Sequence, residues 1–190
     1  MPKQRITKES VIDAAFELAK ESGIEAVTVK SISQKLSCSV QPIYTYCANM
    51  EGLRRDVAEK VRAYVRNYVR SFAVKNTGDD IFKDTGRAYL RLAKEEPNIY
   101  KMFILCQREN ISSLEELYVA ETDPKIPEAI SRKFGLSLEE AKKFHLNMLI
   151  FNIGMGAIFS GTSPGIPAEE IFLQQDQAFK AFLDFALKEK

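Results

Sequence analysis

Amide, hydroxyl and phenol side chains concentrate between residues 28 and 46. Gln41 carries an amide, Thr45 a hydroxyl, and Tyr44 and Tyr46 carry phenols. Helical spacing divides this segment into two short helices joined by a turn of three residues. Two helices in this arrangement, the second polar and aromatic, are what a reader of the DNA major groove requires, because one helix enters the groove while the other braces it. The segment therefore predicts hydrogen bonding to DNA.

Residues for catalysis are sparse. His145 is the single histidine, and there is no glycine-rich nucleotide motif, phosphate loop or HExxH sequence. The acidic pairs Asp79–Asp80 and Glu169–Glu170 are interpreted as capping charges. The three cysteines lack metal-ligand or redox spacing and indicate reduced thiols. They are Cys38, Cys47 and Cys106. We therefore expect no enzyme activity, no cofactor and no metal.

Apolar residues recur at helical spacing along nearly the whole chain, which predicts an all-α fold. Thr7 is a plausible N-cap for a first helix that ends at Gly23. Thr28 caps a second helix that runs to about Leu36. Ser39 is expected to cap a third helix that continues through Tyr46.

Further helix boundaries are marked by capping residues and by proline. Asn49 is expected to begin a long helix, and Pro97 a later one. Ser112 with Glu115 and Ser137 with Glu140 match the capping box, which places helix starts before Leu114 and Leu138. Residues 161–165 then separate a long apolar helix from a last helix over 168–187.

Composition and charge set limits on partners. The chain has 190 residues, of which 45% are hydrophobic and 28% charged, as in a globular protein. Its net charge of +1 provides almost no general attraction to DNA, so binding must depend on local geometry. The longest apolar stretch, 146–159, is shorter than the ~20 residues of a membrane span. With no secretion signal at the N-terminus, we expect a cytoplasmic protein with no membrane contact.

Residues 28–36, read as TVKSISQKL, are followed by SCSVQPIYTY over 37–46. This pair of segments, with Ile43–Tyr44 and Asn49 in their expected places, resembles the helix-turn-helix of the TetR family of transcriptional regulators. Ser37 departs from the family pattern, which usually has glycine there, and Met50 stands where a lysine often contacts phosphate. The resemblance is specific over roughly the first quarter of the chain.

The resemblance implies a DNA-binding domain over 1–48 and a ligand-binding and dimerisation domain over 49–190. It implies a homodimeric regulator, in most of the family a repressor, that binds a palindromic double-stranded operator and responds to a small-molecule effector. Gln41 would pair with adenine and Val40 would meet a thymine methyl, with Thr45 as a weaker reader. Hydroxyls and nearby cations would contact phosphates. These residues are Thr28, Lys30, Ser39, Tyr44 and Tyr46, with Arg5 beside them.

The ligand-binding domain should hold an apolar or aromatic effector among its helices, between aromatic walls with a few polar tips. The candidate residues are Tyr64, Tyr68, Tyr89, Met102, Phe103, Phe144, His145 and Met148. By resemblance, the last two helices should pair with those of a second copy in a four-helix bundle. The candidate interface residues are Phe151, Met155, Phe159, Phe172, Phe179 and Phe182, with Gly154, Gly156 and Ala157 permitting close approach.

Plainer interpretations stand beside these. Ile43 and Tyr44 could simply pack the small domain, Thr28 and Ser39 could be ordinary caps, and a stripe of Met and aromatic residues is often core. His145 alone in an apolar helix is more often a core or interface residue than a ligand. The alternative function is a helical adaptor that binds proteins and no DNA.

Overall fold

The computed structural model describes residues 6–46, 49–75, 81–106, 108, 110–162 and 165–188. Within these ranges the chain forms ten α-helices and a 3-10 turn, with no strand, so the predicted all-α fold is confirmed. Arg5, Cys47 and Asp79–Asp80, named above, lie outside the described residues. The helices are α1 (Lys8–Ser22), α2 (Val29–Lys35), α3 (Gln41–Tyr46), α4 (Met50–Lys75), α5 (Ile81–Glu95), α6 (Pro97–Leu105), α7 (Leu114–Glu121), α8 (Lys125–Phe134), α9 (Leu138–Gly161) and α10 (Ala168–Lys188), with the 3-10 turn at Ile24–Ala26.

Side-chain caps begin four helices where the sequence predicts them. Thr7, Thr28 and Ser137 each form a capping box, at α1, α2 and α9. The Asn49 Oδ1 atom accepts a hydrogen bond of 2.7 Å from the Gly52 amide at the start of α4. Gly23 ends α1 with a φ of +84°, a conformation that glycine adopts without strain.

Two predicted caps are displaced by one residue. Ser113, not Ser112, caps α7 by accepting from the Glu116 amide, while the Ser112 amide and hydroxyl donate to the Glu116 carboxylate. At α3 the Val40 carbonyl accepts the first helical hydrogen bonds, so the helix begins one residue after the position expected from a Ser39 cap.

One hydrophobic core connects the N-terminal head, residues 6–46, to the helices that follow. Val11 of α1 and Ile43 of α3 belong to the same buried cluster as Leu53 and Val57 of α4, and the cluster continues to Tyr100 of α6. The predicted division after residue 48 therefore stays a prediction, because the structure packs both sides of it into a continuous core.

Helix α9 is the centre of the remaining helices. It packs against α5, α6, α8 and α10, and its 24 residues are long and apolar enough to cross a membrane by length and composition. Seven of its side chains are buried within the chain, including Phe144, Met148 and Phe159. This packing agrees with the expected core helix.

The apolar stripes of α9 and α10 largely face each other within one chain, which corrects part of the predicted dimer surface. Phe159 and Phe179 are buried, at 4% and 6% exposure, so neither is available to a second copy. The other four candidates are half-buried. Phe151 contacts Phe182 with ring centroids 6.5 Å apart, and Met155 and Phe172 pack beside Phe159.

Gly156 also serves the single chain rather than a partner. Tyr100 of α6 lies directly against it and donates from its hydroxyl to the Ile153 carbonyl at 3.2 Å. A Cβ atom at Gly156 would overlap the Tyr100 hydroxyl. Gly154 and Ala157, by contrast, are exposed on the outer side of α9.

Candidate nucleic-acid interface and ligand cavity

The turn between α2 and α3 is held by backbone hydrogen bonds. The Leu36 amide donates to the Ile32 carbonyl at 2.9 Å, and the Cys38 amide to the Ser33 carbonyl at 3.0 Å. Between them Ser37 adopts a φ of +50°, in the left-handed region. This conformation turns the chain sharply enough for α3 to cross α2.

Helix α3 is divided into a buried side and an exposed side. Ile43 is fully buried in the core formed with α1 and α4. On the opposite side Tyr44 is 59% exposed and Val40 43%, and Gln41 is also exposed. The side chains predicted to reach DNA bases therefore project from one rigid face, braced from behind by Ile43.

The other predicted DNA contacts are exposed too. They are Thr28, Lys30, Ser39, Thr45 and Tyr46. Thr28 also caps α2, since its hydroxyl accepts from the Ser31 amide at 3.0 Å. The Thr45 hydroxyl donates to the Gln41 carbonyl at 3.1 Å. In the free protein this hydroxyl therefore bonds to the backbone of its own helix.

A cavity of about 540 Å³ lies between α5, α6, α7, α8 and α9, with α10 closing one side. This volume is in the range typical of small-molecule sites. Four of the eight predicted effector residues line it, Tyr89, Phe103, His145 and Met148. Most of the remaining wall is aliphatic or aromatic.

The other four predicted effector residues lie elsewhere. Phe144 packs edge-on against Phe179 in the core between α9 and α10. Tyr68 donates to Glu95, Tyr64 donates to Glu96, and Met102 packs into the core shared with the head. These four residues therefore do not line this cavity. Tyr64 and Tyr68 lie on the face of α4 that meets α1 and the junction of α5 with α6, whereas Phe144 and Met102 are packed into the cores.

Two of the uncharged polar groups on the cavity wall pair with each other. The Tyr118 hydroxyl and His145 Nδ1 lie 2.8 Å apart. Burial lowers the pKa of His145 to about 4, and burial raises the pKa of Tyr118 to about 12. Both groups are therefore neutral near pH 7 and present a dipole rather than a charge.

A second polar pair lies on the cavity wall, where α9 meets α10. Gln175 Nε2 donates to Asn152 Oδ1 at 3.1 Å, and both side chains are buried. Gly86 of α5 permits this arrangement, since a Cβ atom there would overlap the Gln175 amide. Sequence reasoning missed Tyr118, Asn152 and Gln175 as wall residues. A polar residue interrupting an apolar stripe, as Asn152 does, was the available signal.

A polar junction joins the head to the cavity helices. Lys20 of α1 lies 2.7 Å from the Glu96 carboxylate and 3.1 Å from the Tyr64 hydroxyl. Asn98 of α6 donates to the Lys20 carbonyl at 3.0 Å. These bonds raise the pKa of Lys20. Helices α1, α4 and α6 are thus connected at one point, with α6 lining the cavity on its other side.

Comparison with known proteins begins with sequence. No family model matches this chain. The uncharacterized HTH-type transcriptional regulator YobS of Bacillus subtilis is 22% identical over 104 residues, 55% of this chain and 54% of that protein. The class D tetracycline repressor of Escherichia coli is 36% identical over 64 residues, 34% of this chain and 29% of the repressor. The chain thus spans about half of the first relative and under a third of the second.

Solved structures are similar over nearly the whole chain. BioQ, crystallised with its natural double-stranded DNA operator, has a TM-score of 0.59 and 13% identity, and the match covers 95% of this chain and 99% of BioQ. A transcriptional regulator from Rhodococcus sp. Rha1 has a TM-score of 0.51 and 16% identity, covering 94% and 97%. At these identities the likeness is one of fold.

Proposed function

We propose that this chain, which resembles the TetR family in its N-terminal sequence and its fold, is a transcriptional regulator that binds double-stranded DNA. The observation that carries the proposal is the exposed face of α3, where Gln41 and Tyr44 project while Ile43 anchors the helix. An enzyme class has no comparable support, since the relatives are transcriptional regulators.

The side chains at the start of α3 are proposed to contact the DNA bases. The Gln41 amide can donate to and accept from adenine in the major groove, and Val40 can contact a thymine methyl. Exposed hydroxyls and Lys30 would hold phosphates and fix the orientation of the helix without reading sequence. With a net charge of +1 for the whole chain, these local contacts must supply the specificity.

The active form is proposed to be a homodimer on a palindromic operator. Helices α9 and α10 leave apolar side chains open to solvent, among them Ile150 at 52% and Phe185 at 57% exposure. Covering them with a second copy would form a two-fold bundle that places two α3 helices about one DNA turn apart.

The cavity is proposed to hold a small, largely apolar effector. Binding would favour one spacing of the two heads over another and change DNA affinity by population shift. The Lys20–Glu96 contact supports this coupling, because it ties α1 to α6 beside the cavity. Repression is the expected direction of regulation.

Selection of bound duplexes from random DNA by the purified protein tests the proposal. We expect enrichment of a palindrome whose affinity falls steeply with salt. Gln41→Ala should reduce discrimination at one base position by ~1 to 3 kcal/mol while preserving non-specific affinity. Gln34→Ala, at an exposed position on α2, is the matched control and should not change the selected sequence.

Two results would contradict the proposal. If no sequence is enriched at low salt and the chain is monomeric, the exposed apolar side chains of α9 and α10 would instead support the adaptor hypothesis. If Gln41→Ala lowers affinity equally for every sequence, Gln41 contacts no base.

A further inference from the structure

The wall of the cavity carries more positive than negative charge. Of the described residues that line it, Lys83, Arg108, Lys125 and Lys133 are cationic and Glu121 is anionic. Arg108 Nε lies 2.7 Å from a Glu121 carboxylate oxygen, so these two charges offset each other. Lys83, Lys125 and Lys133 are the other three cations, on a wall whose remaining side chains are mostly apolar.

Lys83 is the best placed of the three. It lies on α5, one turn before Gly86, and its side chain is 29% exposed. Its ammonium is 4.5 Å from the ring centroid of Phe179, another wall residue. Asp176 lies 3.7 Å away, beyond hydrogen-bond distance.

Arg87 takes up the charge of that neighbouring acid. Its Nη2 atom donates to both Asp176 oxygens, at 2.9 and 3.2 Å. Two cations therefore share one carboxylate, with the closer bonds made by Arg87. Lys83, Arg87 and Asp176 together carry a net charge of +1.

Among the described wall residues Glu121 is the single anion, and Arg108 offsets its charge. Tyr118 and His145 are neutral near pH 7, as argued above. Towards the other end of α5, the Tyr89 ring stacks on Phe103 with centroids 5.9 Å apart. Six residues separate Lys83 from Tyr89, about 9 Å along a helix, so a ligand can span a cationic end and an apolar end.

We propose that the cavity binds apolar carboxylates, with the acid group at Lys83 and the apolar part extending along α5 towards Tyr89 and Phe103. This proposal rests on the effector role proposed for the cavity. It deepens that role by naming the chemical class of the effector. An acid gains a charge-assisted contact in a partly desolvated site, whereas an amine would meet like charge.

Calorimetric titration of the full chain at pH 7 with three ligands of equal chain length tests the charge preference. Decanoate should bind about 10-fold more tightly than decanol, as expected for one hydrogen bond to a charged group, and decylamine should bind most weakly. Equal binding of decanol and decanoate, a preference for decylamine, or no binding of decanoate would each overturn the proposal. A parallel titration with 1-naphthoate separates alkyl from aromatic acids.

Variants locate the acid group. Lys83→Met should lower decanoate affinity to that of decanol and leave decanol affinity unchanged. Lys142→Met, at an exposed position of α9 that is not among the wall residues, should change neither. Preserved decanoate affinity in Lys83→Met would overturn the assignment to Lys83, and Lys83→Gln repeats the test if the Met variant loses helical circular dichroism.

The two proposals fail separately. DNA selection without any ligand tests the regulator function alone. A chain that selects a palindrome but shows no preference for decanoate would remain a DNA-binding protein with an effector of another class.

Discussion

At the scale of single residues, Ser37 is held in a backbone conformation that its side chain disfavours. Its φ of +50° lies in the left-handed region, which costs a residue with a Cβ atom roughly 1–2 kcal/mol relative to ordinary helical geometry. The departure from glycine noted in the sequence thus falls at the point where the turn between α2 and α3 requires glycine most.

Ser37→Gly should raise the free energy of unfolding by about 1 kcal/mol, because glycine relieves this strain and part of the gain is lost to its greater entropy when unfolded. Urea denaturation measures the change. Ser39→Gly is the matched control, since Ser39 is exposed and does not share the positive φ. An equal gain at both positions would contradict the strain argument.

His145 gives stability a dependence on pH. Burial lowers its pKa from 6.5 to about 4 in the folded chain. Between those two values the unfolded chain binds a proton that the folded chain does not, so stability falls as the pH falls through this window. The loss is about 3 kcal/mol at most, from 1.36 kcal/mol per pKa unit.

His145→Gln should remove this part of the pH dependence and leave the rest, because the sequence contains no other histidine. Unfolding free energies at pH 7 and pH 4.5 for both proteins provide the test. Parallel profiles would show that His145 is not buried in its neutral form.

The side chains expected to face DNA were predicted from the resemblance to the TetR family, and burial of Ile43 was the plainer interpretation of that residue. In the structure those side chains are exposed and Ile43 is buried. Tyr118 as the partner of His145 was not predicted, because the two residues are 27 positions apart in the sequence. Lys83 was not either, since a lysine on a helix usually indicates a solvated face.

At the scale of elements, the crossing of α6 and α9 depends on the absence of a side chain at Gly156. The Tyr100 ring occupies the place where a Cβ atom would be, and Tyr100 is itself 1% exposed. The two helices therefore cannot separate from each other at this point without opening the core.

Gly156→Ala should lower the free energy of unfolding by about 2 kcal/mol, as overpacking in a core does. Gly161→Ala, in open space at the end of the same helix, should change it by no more than about 0.5 kcal/mol. Adding Tyr100→Phe to Gly156→Ala should recover part of the loss, because the hydroxyl is the nearest atom. Equal effects at the two glycines would show that the helices are not closely packed there.

Helix starts were predicted correctly where the sequence offers one capping residue with one possible partner. At α7 two adjacent serines precede two adjacent glutamates, and both registers of the capping box fit the sequence, so the prediction was one residue early. The stripe on α9 was also read from periodicity. Periodicity does not distinguish a partner in the same chain from one in a second copy, and Phe159 and Phe179 are buried within one chain.

At the scale of the whole molecule, the all-α fold was predicted from helical spacing along nearly the whole chain and is confirmed by the structure. The resemblance to the TetR family was predicted from about the first quarter of the sequence and is confirmed by the relatives. Four of the eight candidate effector residues line the cavity, and most of the wall was not predicted, since it is formed by six helices whose packing no local pattern encodes. The homodimer and the effector stay predictions.

Ile158→Asp should convert the proposed dimer into a monomer, because it places a charge on the open face of α9, where Ile158 is 55% exposed and does not line the cavity. Sedimentation velocity measures the assembly state. Affinity for the palindrome should fall far more than affinity for a half-site. Leu114→Asp on α7, where Leu114 is 58% exposed, should leave both affinities unchanged. An unchanged sedimentation coefficient for Ile158→Asp would refute this dimer surface.

The core that runs unbroken from α1 through α4 to α6 limits how this protein can be recombined with others. A hybrid regulator cut after residue 48 would carry Val11 and Ile43 away from Leu53 and Val57, which cover them. Because the same core continues through Ile99 and Tyr100, the smallest transplantable unit ends with α6, near residue 105. A grafted head must therefore bring with it the helices that complete its core.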